Sequence, residues 1–189
     1  MTTVKVKEKI ILSALELAAE QGWGDVTLAD IAAKANVGVA ELYDIFEDKG
    51  DILSGLGRMI DKKILSDVRG AANDESPRDL LFDLLMDRFE SLNKHRDGVI
   101  AILASIKFDP KQAVIALPHL CRSMSWMLEA CGISTYGIKG ALRVSGLTAL
   151  YLKAARVWMS DESADLAKVM ASLDKDLGRI ESWAGTLGL

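Results

Sequence analysis

Cysteine, proline, histidine and positive charge are all in short supply in this 189-residue chain, and each shortage narrows what it can be. The two cysteines, Cys121 and Cys131, exclude the dense disulfide framework of small secreted domains, and a zinc site needs more ligands than are grouped here. Reduced thiols and no metal are therefore expected. His95 and His119 are the only histidines, and neither has a second ligand at helical spacing. The three prolines, Pro77, Pro110 and Pro118, all lie from residue 77 onward, so the stretch before Pro77 is free of helix breakers of that kind. The longest charge-free apolar run, Val99 to Ile106, is far shorter than a bilayer-spanning helix. Residues 1–9 (MTTVKVKEK) lead into a helix-like segment carrying Glu16 and Glu20, without the apolar core of a secretion signal, so a cytoplasmic location is expected. Phosphate-binding loops, strand-linked glycine fingerprints, HExxH and the nucleophile elbow are missing as well. The expectation is a protein that is not an enzyme and needs no cofactor.

What remains is an apolar, helix-patterned chain. Half of the residues are hydrophobic and 26% are charged, a balance that folds. Apolar positions recur at three and four residues throughout, and β-branched alternation is lacking, so the prediction is all-α with about nine helices. A first helix is expected over Val6–Gln21, stopped by Gly22. Thr27 is suited to cap a second helix to Lys34, with Asp30 completing a near capping box. Asn36–Val37–Gly38 reads as a turn and Val39–Phe46 as a third short helix, a helix-turn-helix arrangement. Longer helices are predicted over Lys49–Val68, Pro77–Lys94, Gly98–Lys107, Gln112–Ala130, Lys139–Met159 and Ser163–Trp183. The polar segment 70–77 (GAANDESP) is the best linker. Two regions are expected: residues 1–49 as the helix-turn-helix domain, and 50–189 as a helical domain for ligand binding and dimerisation.

The segment 22–53, GWGDVTLADIAAKANVGVAELYDIFEDKGDIL, carries the most information. Gly22, Trp23, Thr27, Ile31, Ala32, Ala35, Val37, Leu42, Tyr43, Phe46, Lys49 and Leu53 together resemble the TetR family of one-component transcriptional regulators. Ile31, Ala35, Val37, Leu42 and Phe46 are suited to knit three short helices together, and Ala32 and Ala35 to let helices approach closely. The resemblance implies a dimer binding double-stranded operator DNA through Thr27, Gly38, Val39, Ala40, Glu41, Tyr43 and Lys49. In that scheme Tyr43 and Lys49 meet phosphates, and Glu41 can accept from the amino group of cytosine.

The chain departs from the family pattern where DNA is read. Most members carry Ser or Thr after the turn valine, and His in the segment before the phenylalanine; here Gly38, Asp44 and Ile45 stand at those positions. Overall there are 23 basic and 27 acidic residues, a net −4 and a pI near 5.3. The whole deficit falls in residues 1–58, which hold six basic and ten acidic side chains. Affinity for DNA comes largely from cations that displace counterions, so Glu41, Asp44, Glu47 and Asp48 work against it, with Lys5, Lys7 and Lys9 as a compensating basic arm. The chain also loosely resembles the TetR-fold lipid-binding proteins of ubiquinone biosynthesis, in its third helix and from Arg156 to Trp183. That resemblance implies an alternative, an accessory protein that binds a lipid or isoprenoid and no longer reads DNA. The few residues after Trp183 are expected to leave little room for the membrane-contacting helix of those proteins.

The C-terminal region is expected to hold a small apolar ligand. Candidate lining residues are Phe82, Met86, Phe89, Phe108, Met124, Trp126, Met127, Tyr151 and Trp158, with His119 and Arg122 as polar anchors. The last two helices are expected to form the homodimer interface through Leu142, Ser145, Gly146, Ala149 and Leu150, then Leu166, Val169, Met170 and Leu173.

Overall fold

The computed structural model describes residues 3–68, 76–107 and 110–187, with side chains for 3–68, 76–105 and 114–180. Among the described residues the chain is all helical: α1 (Thr3–Gln21), α2 (Leu28–Lys34), α3 (Val39–Ile45), α4 (Lys49–Asp67), α5 (Pro77–Asn93), α6 (Arg96–Lys107), α7 (Pro110–Ala130), α8 (Gly137–Met159) and α9 (Ala167–Leu187). No helix in the described residues is long and apolar enough to cross a membrane. The chain forms two compact units, Met1–Ile60 with Leu92–His119, and Asp61–Ser91 with Leu120–Leu189. The first thus includes α6 as well as the N-terminal helices. The linker expected at 70–77 lies outside the described residues except for Ser76 and Pro77.

In the first unit α1 packs on α6 and α2, and α2 on α3. Ile10, Ile11, Ala14, Leu15 and Ala18 make α1's buried stripe, joined by Ile31, Ala35, Leu42 and Phe46. Gly98 of α6 lies so close to α1 that an added Cβ would stand 2.3 Å from the Leu15 carbonyl oxygen. A side chain there would collide with backbone, which cannot rotate away.

Local chemistry sets the short helices. Gly22 ends α1 at a positive φ of 84°, with its N–H on the Ala18 carbonyl at 3.0 Å. Thr27 Oγ1 accepts from the Asp30 N–H at 3.1 Å, while the Asp30 carboxylate accepts from the Thr27 N–H at 2.9 Å, so the capping box is complete. These hydrogen bonds from Thr27 hold the Asp30 carboxyl below its ordinary range. Asn36 takes φ 50°, and the N–H groups of Asn36 and Val37 bond to the Ala33 and Ala32 carbonyls. This is a Schellman ending, with asparagine in the left-handed position it tolerates better than most residues. It turns the chain straight into α3.

In the second unit α8 packs on α9. The start of α9 differs from the expected Ser163 and falls at Ala167. Leu166, at φ 53°, occupies the cap position and has no polar side chain to offer. Asp161 substitutes from five residues upstream: its buried carboxylate accepts from the N–H groups of Lys168 at 2.9 Å and Val169 at 3.1 Å. Ser163 Oγ accepts from the Ala167 N–H at 3.0 Å. Three of the four orphan donors at the helix start are thereby satisfied.

Candidate nucleic-acid interface

The first unit presents α3 with one face inward and one outward. Leu42 and the following Phe46 are buried, whereas Gly38, Val39, Ala40, Glu41, Tyr43 and Asp44 are exposed. Val39 is 58% and Tyr43 64% exposed, high values for apolar and aromatic side chains. Thr27 is exposed too, but its hydroxyl is engaged with Asp30. The structure thus leaves six of the seven expected DNA-facing residues on the surface of one unit. What α3 offers is an apolar and phenolic strip edged by two carboxylates.

Lys49, expected to meet a phosphate, is half-buried. Its Nζ donates to the carbonyls of Trp23 at 2.5 Å and Val26 at 2.7 Å, and lies 4.4 Å from the centroid of the Trp23 ring. Two of three ammonium donors are spent inside the unit. Burial pushes the Lys49 ammonium down from its ordinary value, opposed by the attraction of Asp25. A cation at the first position of a helix opposes the macrodipole, and acidic neighbours offset this. Asp48 accepts from the Asp51 N–H at 2.8 Å and Asp51 from the Glu47 N–H at 3.1 Å, closing the start of α4. Asp48, one of the carboxylates that weigh against DNA, thus has a structural duty. The signal for Lys49 lay in Trp23 and its loop, 26 residues upstream, where no helical period points.

Other cations of this unit are also engaged. Lys34 lies 2.7 Å from Glu20 and 3.6 Å from Glu16, and its hydrogen bond to Glu20 raises its pKa. Lys7 Nζ sits 5.0 Å from the Phe46 ring centroid. Lys5 and Arg58 are exposed.

The expected ligand residues divide. Met86, Phe89, Met124, Met127, Tyr151 and Trp158 are buried in the second unit, and Phe82 is half-buried. Phe89 stacks on Tyr151 with centroids 5.0 Å apart and lies 6.4 Å from Trp158. Trp126 is 58% exposed and stands apart from this cluster, on the solvent side of α7; Phe108 lies outside the described residues. Arg122 is exposed and His119 half-buried.

The polar centre of the cluster is Arg88, which periodicity alone did not single out. Its guanidinium is buried, ion-paired with Asp61, and donates from Nε to the Tyr151 hydroxyl at 3.0 Å. It also lies 5.2 Å from the Tyr151 ring centroid.

The expected dimer residues divide as well. Leu150, Leu166, Val169 and Leu173 are buried within the single chain, where α8 packs on α9. Left outward on α8 are Ile138, Leu142, Ser145, Ala149, Leu152 and Met159, spaced three and four apart apart from one gap at Arg156. Met170 of α9 is exposed too.

Fold and site define an all-helical protein with a helix-turn-helix in its first unit. Residues 10–56 match the family model described as bacterial regulatory proteins, tetR family. A TetR transcriptional regulator from Nitrosomonas europaea superposes with a TM-score of 0.75 at 24% identity, over 94% of this chain and 98% of that one. One from a Rhodococcus species does so with 0.61 at 20%, over 92% and 96%. The HTH-type transcriptional regulator YvdT of Bacillus subtilis is 22% identical over 103 residues, 54% of this chain and 53% of that protein. The match therefore spans about half the length of that relative. The chain has a TetR-family helix-turn-helix region at its N-terminus and the TetR-family fold throughout its described residues.

Proposed function

We propose that this chain is a transcriptional repressor that binds operator DNA as a homodimer and is released by a small apolar effector. The observation that carries the reading is the α2–turn–α3 unit, whose capping box and Schellman turn hold an exposed face of Gly38, Val39, Ala40, Glu41 and Tyr43. Residues 1–49 act as the reading domain and 50–189 as the ligand-binding and dimerising one. Val39 and Ala40 suit thymine methyl groups, Glu41 suits the cytosine amino group, and Tyr43 suits a phosphate. Thr27 supports α2 next to the same backbone, and Lys49 serves first as an internal clamp. A dimer formed through the outward face of α8 and its neighbours on α9 would double every contact and place two α3 helices in successive major grooves about 34–36 Å apart. The buried aromatic and methionine cluster supports an apolar effector, which acts by favouring the state incompatible with that spacing.

A second reading is supported by the charge of α3, which has no cation, and by the engagement of Lys34 and Lys49 within the unit. In it the protein binds a lipid or isoprenoid and has lost DNA. Selection from a randomised duplex library at low salt separates the two: enrichment of an inverted repeat supports the repressor. Failure to enrich any sequence, with an isoprenoid or fatty acyl compound raising Tm, supports the accessory protein.

A further inference from the structure

Within the first unit, Lys34, Lys49 and Lys7 are each held by a neighbour, and only Lys7 meets no oxygen. Lys34 is paired with Glu20 and Glu16, and Lys49 donates to the Trp23 and Val26 carbonyls. Lys7 instead rests its ammonium over the Phe46 ring, with no hydrogen bond or ion pair among the described residues. A ring attracts the charge but leaves the N–H donors for an oxygen acceptor. The platform is fixed: Phe46 is 2% exposed, and a Cβ added to Gly55 of α4 would stand 2.8 Å from its ring and 3.3 Å from Ile11 of α1. The Phe46 N–H closes α3 on the Leu42 carbonyl at 2.8 Å. Phe46 follows Tyr43 by three residues and Tyr43 follows Val39 by four, so the three share one edge of α3. Val39 and Tyr43 are exposed along that edge, and Lys7, half-buried, stands at its end. Lys5 and Lys9 lie two residues to either side of Lys7, about half a turn round α1.

We propose that Lys7, positioned by the Phe46 ring, is the cation that binds a DNA phosphate at the end of the Val39–Tyr43 edge, the task that Lys49 gives up to its internal carbonyls. This deepens, and rests on, the reading of α3 as the element that meets DNA. The helix itself has no cation and exposes Glu41 and Asp44, so attraction to the backbone has to come from a neighbouring element. Lysine serves a phosphate as a point charge. Holding its ammonium on a ring beforehand lowers the entropy lost when a long side chain is ordered on contact. The first turns of α1 thereby become part of the reading surface, although no base edge is read by them.

The test uses the full chain on a duplex selected from a randomised library, with affinity measured across a salt series. Lys7→Gln should lower the slope of log K against log salt by about two for a dimer. Affinity at physiological salt should weaken about tenfold, equally on every sequence, so that library selection enriches the same bases as wild type. Lys7→Arg, which keeps both the charge and the ring contact, should restore the wild-type slope. Lys5→Gln with Lys9→Gln removes two charges from the other side of α1 and should move the slope less than Lys7→Gln alone. Thermal melts report the structural share: loss of the ring contact should cost Lys7→Gln about 2–4 °C of Tm. A slope that Lys7→Gln leaves unchanged, or that the Lys5/Lys9 pair lowers as much, overturns the role of Lys7 and leaves DNA reading by α3 standing. Wild type without salt-dependent binding brings down the reading and the inference together.

Discussion

Replacing Lys49 by methionine separates two roles that the same lysine can play. Methionine keeps the apolar stem against Trp23 and deletes the ammonium. Two charge-assisted hydrogen bonds to the Trp23 and Val26 carbonyls disappear, together with the contact to the Trp23 ring. Hydrogen bonds to charged groups contribute about 1.5–3 kcal/mol each, and a cation over an aromatic ring about 0.5–1 kcal/mol when exposed. The site is half-buried and its desolvation lowers the ammonium pKa, so the net is far below the sum. A loss of about 2 kcal/mol is expected after that discount. Urea denaturation should show it as a lower midpoint with an unchanged m-value. Salt titration of DNA binding supplies the second readout. A lysine on a phosphate contributes about one unit to the slope of log K against log salt, so a dimer of Lys49→Met would lose about two. The clamp predicts a slope unchanged within error. Undiminished stability together with a slope reduced by about two would refute it and return Lys49 to the DNA backbone.

Other consequences follow from single contacts. Gly98→Ala drives a methyl into the Leu15 carbonyl; overpacking should outweigh the helix-propensity gain of about 1 kcal/mol and lower stability by about 1–2 kcal/mol, whereas a stabilised variant in thermal melts would show that α1 and α6 can part. Asp161→Ala leaves the N–H groups of Lys168 and Val169 without acceptors and should cost about 1–3 kcal/mol, read by urea denaturation. Burial alone would raise the Asp161 pKa, but hydrogen bonds from Ser163, Val169 and Lys168 prevail and lower it below 3.8. Its contribution should therefore be full above that ordinary value and vanish as pH falls through the lower folded one; an acid-unfolding curve of Asp161→Asn superimposable on wild type would contradict this. Burial pushes the Cys131 thiol up to about 11, so at pH 8 a disulfide reagent should label half-buried Cys121 and reach Cys131 only after unfolding. Two thiols labelled at one fast rate in the native protein would refute that burial.

Features that rest on neighbours in the chain could be read from the residues alone. The Thr27–Asp30 capping box, the stop at Gly22, the Asn36 turn and the start at Pro77 each involve residues within about one turn of each other, and each stands where it was expected. The start of α9 was expected at Ser163 and falls at Ala167, because Asp161 and Ser163 lie in a turn ahead of the helix and accept from its first N–H groups. Lys49 is suited by type to a phosphate, and only folding brings the Trp23 and Val26 carbonyls to it. Periodicity marked Leu150 and Val169 as apolar without saying whether they face a partner or their own chain. Arg88 and Asp61, on different helices, show no pattern at all until the second unit forms.

In the proposed function α3, despite its carboxylates, reads DNA as part of a dimer. Anisotropy of the full chain on a duplex selected from a random library, measured from low to physiological salt, tests it most directly. Two protomers are expected on an inverted repeat with half-sites one helical turn apart, with an affinity that falls as salt rises and at least tenfold weakening by Tyr43→Ala with Glu41→Ala. Binding that enriches no sequence and ignores both salt and those substitutions would contradict it.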